Sequence, residues 1–223
     1  PVIPDELVDV IISNCVLNLV REEDREQLFR EMFRVLKRGG RVAISDIVSD
    51  EVVPEKLKQD AELWSGCIAG AFQEAAFLAA FERAGFHAIA LDNYDAQPWK
   101  TVRGIEFRSV TVTARKGKQG PCWERNQAVM YKGPWRKVED DDGHTLLRGQ
   151  RMAVCDKTYR ILTNEPYAAE VVAVPPLKEL SLKKAKPFAC GQTALRSPAE
   201  TKGKRYRKTV NAAAACAPGS GCC

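Results

Sequence analysis

Cysteine is the residue type with the most chemistry to offer in this sequence. Eight are present, Cys15, Cys67, Cys122, Cys155, Cys190, Cys216, Cys222 and Cys223, beside only two histidines, His87 and His144. No pair stands in a Cys-x-x-Cys spacing, so a structural zinc site has little support. Nothing points to secretion, and reduced thiols are expected rather than a disulfide framework. Two placements stand out. Cys15 follows the apolar run Val10-Ile11-Ile12 and the polar pair Ser13-Asn14. Cys67 sits in a break of small residues, Ser65-Gly66-Cys67-Ile68-Ala69-Gly70-Ala71. A thiol just past a strand's carboxyl end lies where open α/β sheets bind ligands. The other reading is a small buried apolar side chain, a common use of free cysteine. On these residues alone both readings stand.

A third concentration of thiols closes the chain, Cys216-Ala217-Pro218-Gly219-Ser220-Gly221-Cys222-Cys223. Flexible residues between them would let two or three sulfurs reach one soft ion. A disordered tail with a few reactive thiols fits equally well. Cys122 and Cys155 are expected to be buried filler, and Cys190 is left without a role. His87 is placed on a strand face and His144 in a turn, and neither is expected to be a ligand. The acidic run Glu139-Asp140-Asp141-Asp142-Gly143 lacks the alternating ligand spacing of a calcium loop and reads as a turn.

The elements that must position these residues follow from periodicity. Residues 7–14 read as a strand covered on both faces. Glu22 to Lys37 make an amphipathic helix, acidic at its start and basic at its end, in keeping with the macrodipole. Gly39-Gly40 is expected to stop that helix, and Arg41 to Val48 form the next strand. Strand, helix, strand implies a parallel crossover. Pro54 to Trp64 read as a second helix and Gln73 to Ala84 as a third, closed by Gly85. Phe86 to Leu91 and Gly104 to Ala114 are strands. In the second of these the apolar parity changes between Phe107 and Val110, so either both faces are covered or a bulge near Arg108-Ser109 shifts the register.

Lys116 to Pro121 is a linker by composition. Beyond it, Gln127 to Tyr131 and Met152 to Cys155 are short strands, Asp142-Gly143 is a hairpin signal, and Tyr159 to Leu162 is expected to add another strand. Residues 198–223 are expected to be disordered. The chain of 223 residues is 45% hydrophobic and 28% charged, with a net charge of +5. No apolar run is long enough to suggest a transmembrane helix. The basic residues gather toward the C-terminus without interleaved aromatics, so no nucleic-acid or membrane partner is expected.

The strand order and the turn Leu36-Lys37-Arg38-Gly39-Gly40-Arg41 resemble the C-terminal half of a class I S-adenosylmethionine-dependent methyltransferase. Arg38 stands where that family commonly has proline. Two stretches, Ile12-Ser13-Asn14-Cys15-Val16-Leu17-Asn18-Leu19 and Glu62-Leu63-Trp64-Ser65-Gly66-Cys67-Ile68-Ala69-Gly70-Ala71, resemble arsenite methyltransferases in particular. The resemblance implies an α/β fold, the C-terminal half of a doubly wound Rossmann-like sheet over residues 1–115. A β-rich extension over 116–186 and a flexible basic tail over 187–223 would follow. It implies that Cys15 and Cys67 bind trivalent arsenic, with Cys216, Cys222 and Cys223 as further soft-ion ligands. Asn14 and Val16 would touch S-adenosylmethionine. Arsenite would be the substrate, glutathione or thioredoxin the reductant, arsenic detoxification the role and the cytoplasm the location.

The chemistry is coherent in its own right. Trivalent arsenic is soft, and thiolates are its natural partners. Gly66 and Gly70 would let the Cys67 loop bend toward Cys15. The Gly-rich cofactor loop and the acidic ribose ligand of such a fold do not precede residue 9, so a fragment is expected. Two rivals remain: a small organic methyl acceptor on the same fold, and a thiol-rich module that binds soft ions without catalysis.

Overall fold

A computed structural model of the chain describes residues 2–190 and 194–202. It divides into two compact units at Gly120–Pro121. The first contains β1 (Val8–Asn14), α1 (Glu22–Val35), β2 (Leu36–Ser49), α2 (Glu55–Lys58), α3 (Ala61–Ser65), β3 (Phe72–Gln73), α4 (Glu74–Ala84), β4 (His87–Tyr94), β5 (Lys100–Val102) and β6 (Ile105–Arg115). Its sheet runs β1-β2-β6-β4, with β3 and β5 attached to β2 and β6. β1 lies parallel to β2, with Asn14 opposite Ser45. β6 runs antiparallel to both β2 and β4.

α1 forms where the apolar stripe predicts it. Glu22, Glu23 and Asp24 occupy its first turn and Arg34 its last, each favourable to the helix dipole. Its inner face meets α4 through Phe29 on Phe81, edge to face at 4.9 Å. α4 is capped at its start by the Gln73 side chain and ends at Gly85, whose φ of +95° is the left-handed conformation expected of a glycine stop.

Several local expectations are corrected. β1 is an edge strand, hydrogen-bonded to β2 alone among the described residues, and its outer face is open: Val10 is 43% and Ile12 77% exposed. An apolar run marks a strand, but it does not reveal whether both covering layers lie within the same chain. The glycine pair does not end α1. Leu36, fully buried, already takes an extended backbone, and β2 begins there. Gly39 and Gly40 instead lie inside β2, where the register with β1 is irregular. The segment 54–64 forms two short helices because the Asp60 carboxylate accepts from the N–H groups of Glu62 and Leu63 at 3.0 and 3.1 Å and starts a new helix. The parity change in β6 reflects two covered faces. Val110, Val112 and Ala114 join the core beneath α1 and α4, whereas Ile105 and Phe107 pack with Ile68 and Leu57. Its pairing with β2 runs without a bulge from Arg115 to Phe107.

The second unit contains β7 (Trp123–Glu124), β8 (Ala128–Tyr131), β9 (Lys137–Glu139), β10 (Thr145–Leu147), β11 (Arg151–Ala153), α5 (Asp156–Leu162), β12 (Val171–Val174), β13 (Lys186–Pro187) and α6 (Pro198–Lys202). A three-stranded antiparallel sheet runs β11-β8-β12; β9 and β10 form a hairpin, and β7 pairs with β13. The hairpin turn at Gly143 lies where the Asp-Gly signal puts it. Residues 159–162 are helical rather than a strand. Cys155 caps α5 by accepting from Thr158 N–H at 3.3 Å, and Tyr159 and Leu162, three apart, turn toward one core. Residues 198–202, expected to be disordered, form α6. Arg196 just before it is buried and ion-paired to Glu124 at 2.7 Å.

Candidate active site

Two loops of the first unit meet beyond the carboxyl end of β1, beside residues 45–47 of β2. Cys15 continues β1 for one more bond, its N–H donating to Ser45 O at 2.9 Å. The chain then turns through Leu17–Leu19, a single 3-10 turn. Cys67 follows α3. Its thiol lies 3.7 Å from the Cys15 carbonyl oxygen. Both cysteines hold positive φ, +52° for Cys15 and +59° for Cys67. A non-glycine residue in that region costs roughly 1–3 kcal/mol and persists only where its surroundings over-determine it.

The surroundings are specific. Asp46, within β2 and only 2% exposed, accepts from Leu17 N–H and Ile47 N–H, each at 2.9 Å, and so anchors the first loop. Asn18 is fully buried. Its side-chain amide donates to Ile47 O at 2.6 Å and to Cys67 O at 3.1 Å, bridging the sheet and both loops. Gly70 lies directly against Asn18: a Cβ there would stand 1.9 Å from the Asn18 carbonyl oxygen. Arg25 on α1 completes the clamp. It donates to Gly70 O at 2.7 Å and to Val20 O at 3.0 Å, and its guanidinium stacks 4.4 Å from the Phe72 ring.

The expected use of the two glycines is thus corrected in part. Gly66 has an ordinary φ of −83°, and Cys67 itself supplies the left-handed residue. Gly70 is required for close approach.

Electrostatics keep the site protonated. Burial pushes the Cys15 thiol up, and the Asp46 carboxylate adds to it. Burial, Asp46 and then Cys15 raise Cys67 in the same way. Asp46 is itself raised by burial, against the pull of the backbone N–H groups it accepts from. Both cysteines therefore stand as neutral thiols near neutral pH.

Of the residues singled out from the sequence, Cys15 and Cys67 are brought side by side, the first exposed and the second half-buried. Asn14 ends β1, and its Oδ1 accepts from the Cys15 thiol at 3.3 Å. Val16 is 50% exposed on the same loop. Cys216, Cys222 and Cys223 lie outside the described residues. Asn18, Asp46, Arg25 and the contact made by Gly70 were not singled out. Asp46 had a signal, since a carboxylate inside an apolar strand calls for a partner. A cavity of about 390 Å³, lined by Arg25, Phe29, Trp64, Gly70 and Phe72, lies behind the clamp and does not include the two thiols.

Residues 2–85 match a methyltransferase domain family, and residues 118–206 match a domain of unknown function, DUF8838. Arsenite methyltransferase from Mus musculus is 32% identical over 184 residues, spanning 78% of this chain and 48% of that protein. Arsenite methyltransferase from Halobacterium salinarum is 39% identical over 121 residues, spanning 51% of this chain and 30% of that protein. Over most of its length the chain is similar to arsenite methyltransferases. It spans about half or less of the length of these relatives. A crystal structure of an arsenic(III) S-adenosylmethionine methyltransferase from Chlamydomonas reinhardtii superposes with a TM-score of 0.51 at 23% identity, covering 84% of this chain and 64% of that one. At that identity the likeness shows the fold alone.

Proposed function

We propose that this chain carries the arsenic-holding part of an S-adenosylmethionine-dependent arsenite methyltransferase that detoxifies arsenic, with Cys15 and Cys67 as the arsenic ligands. The observation that supports this most is the approach of Cys67 Sγ to the Cys15 backbone at 3.7 Å, across 52 residues of sequence. Arsenite is a neutral trihydroxide near neutral pH, and neutral thiols suit it. Two As–O bonds are exchanged for two As–S bonds, each thiol proton leaves with a departing hydroxyl as water, and the third hydroxyl stays on arsenic. Arsenic stays trivalent and no net charge is buried beside Asp46.

The clamp holds the backbones of the two cysteine loops together before arsenic arrives, and preorganisation of that kind lowers the entropic cost of chelation. A pyramidal arsenic with two protein sulfurs keeps its lone pair directed away from them. When bound, S-adenosylmethionine supplies an electrophilic methyl group on a sulfonium sulfur. Asn14 and Val16, both exposed beside Cys15 at the end of β1, fit the cofactor's edge of the site, where open α/β sheets place their ligands. Methylation on the lone pair takes arsenic to the pentavalent state, and two thiols, of glutathione or of thioredoxin, return it to the trivalent state as they are oxidised to a disulfide. In the complete enzyme, Cys15→Ser and Cys67→Ser are each expected to abolish arsenite methylation while cofactor binding persists. Wild-type methylation by either variant would refute the assignment.

A further inference from the structure

We infer that the β-rich unit holds a second soft-ion site, in which Cys122, Cys155 and Cys190 bind one thiophilic ion such as trivalent arsenic through three sulfurs. The three sulfurs all lie within 4.8 Å of one another, although the residues are 33 and 35 positions apart in sequence. The fold brings them together. Cys122 precedes β7, which pairs with β13 through Trp123 opposite Pro187, and Phe188 N–H donates to Cys122 O at 2.9 Å. That pairing delivers Cys190, three residues beyond β13. Cys155 stands at the head of α5, fully buried, with its sulfur 3.2 Å from Thr158 Oγ1.

The donor set selects the ion. Structural zinc takes four ligands, and among the described residues this group offers three, all sulfur. Three thiols and no oxygen donor suit a soft, three-coordinate ion. With bonds to sulfur of about 2.3 Å, a pyramidal three-sulfur arrangement spaces the sulfurs roughly 3.5 Å apart. Closing the cluster from its present spacing therefore asks for movements of roughly 1 Å or less, and Cys122 and Cys190 are only half-buried and free to make them.

The protonation state is also prepared. Burial pushes the Cys122 thiol up, but hydrogen bonds with Cys190 and Cys155 and the nearby Lys157 ammonium outweigh it and hold it below its ordinary value. Burial and the bond to Cys122 hold Cys190 well above its own. Arsenite enters by exchanging three As–O bonds for three As–S bonds. All three oxygens leave as water with the thiol protons. Arsenic remains trivalent, so no oxidant or reductant is needed.

The test uses the full chain carrying Cys15→Ser and Cys67→Ser, so that the first site is silent and failure here is separate from failure there. The reduced protein is titrated with arsenite and alkylated, and each cysteine is mapped by mass spectrometry. One equivalent is expected to lower labelling of Cys122 and Cys190 at least tenfold while Cys216, Cys222 and Cys223 stay reactive. Adding Cys190→Ser, at a half-buried position that tolerates the change, is expected to weaken protection of Cys122 at least tenfold. Cys122→Ser serves as the reciprocal variant. Unchanged labelling of Cys122 and Cys190, protection of the terminal cysteines in their place, or protection of Cys122 that ignores the loss of Cys190 would overturn the assignment.

Discussion

Gly70→Ala probes the clamp that joins the two cysteine loops. The added methyl carbon would stand 1.9 Å from the Asn18 carbonyl oxygen and 3.0 Å from the Arg25 guanidinium. The first neighbour is backbone, pinned because Asn18 also donates to Ile47 O and Cys67 O. Relief requires the 66–71 loop to retreat by at least about 1 Å, which stretches the Asn18–Cys67 bond and carries Cys67 away from Cys15. Overpacking of this kind costs about 1–3 kcal/mol, or a drop in Tm of roughly 3–10 °C. Since about 1.4 kcal/mol corresponds to tenfold in affinity, arsenite binding at Cys15 and Cys67 should weaken about tenfold or more. Gly66→Ala is the control. Its Cβ would meet nothing closer than 3.4 Å and its φ is ordinary, so stability should change by less than about 0.5 kcal/mol. Thermal unfolding and arsenite-dependent thiol protection read both variants. If Gly70→Ala unfolds and binds like wild type, or Gly66→Ala is equally damaging, the close approach does not hold the loops together.

Other perturbations follow from the same geometry. Asn18→Ala removes a buried donor serving two carbonyls and should cost about 2–3 kcal/mol in denaturant unfolding. Asp46→Asn removes a negative charge that disfavours both thiolates, so the pH profile for alkylation of Cys15 should move to lower pH; a profile that stays put or moves up would refute that coupling. His144 is held above its ordinary value by its hydrogen bond to Asp140. That stabilisation is present below the unfolded pKa and lost as pH rises through the folded one. Tm of the wild type should therefore decline over that range relative to His144→Gln, which should lack the slope.

Much of the first unit was legible because its signals are local. The stripe and end charges of α1, the glycine stop after α4 and the Asp-Gly hairpin each depend on a few adjacent residues. The edge position of β1 was not legible, since Val10 and Ile12 are as apolar as in a covered strand. The start of α5 was missed because Cys155 acts as its cap, a role usually filled by an oxygen. At the site, the family resemblance drew attention to Cys15 and Cys67, whereas the residues that join their loops could not be read in the same way. Asn18 and Gly70 matter through a contact between distant segments, and neither has a local pattern. The grouping of Cys122, Cys155 and Cys190 was hidden for the same reason, because the β7–β13 pairing that assembles it spans most of the second unit.

The most direct test of the proposed function is a cysteine-by-cysteine alkylation footprint of the reduced chain at one equivalent of arsenite, with Cys122 and Cys190 replaced by serine. Cys15 and Cys67 should be protected together, and Cys15→Ser should expose Cys67 fully. If Cys67 stays protected without Cys15, or neither thiol is protected at all, the two sulfurs do not share an arsenic atom and the proposed function fails.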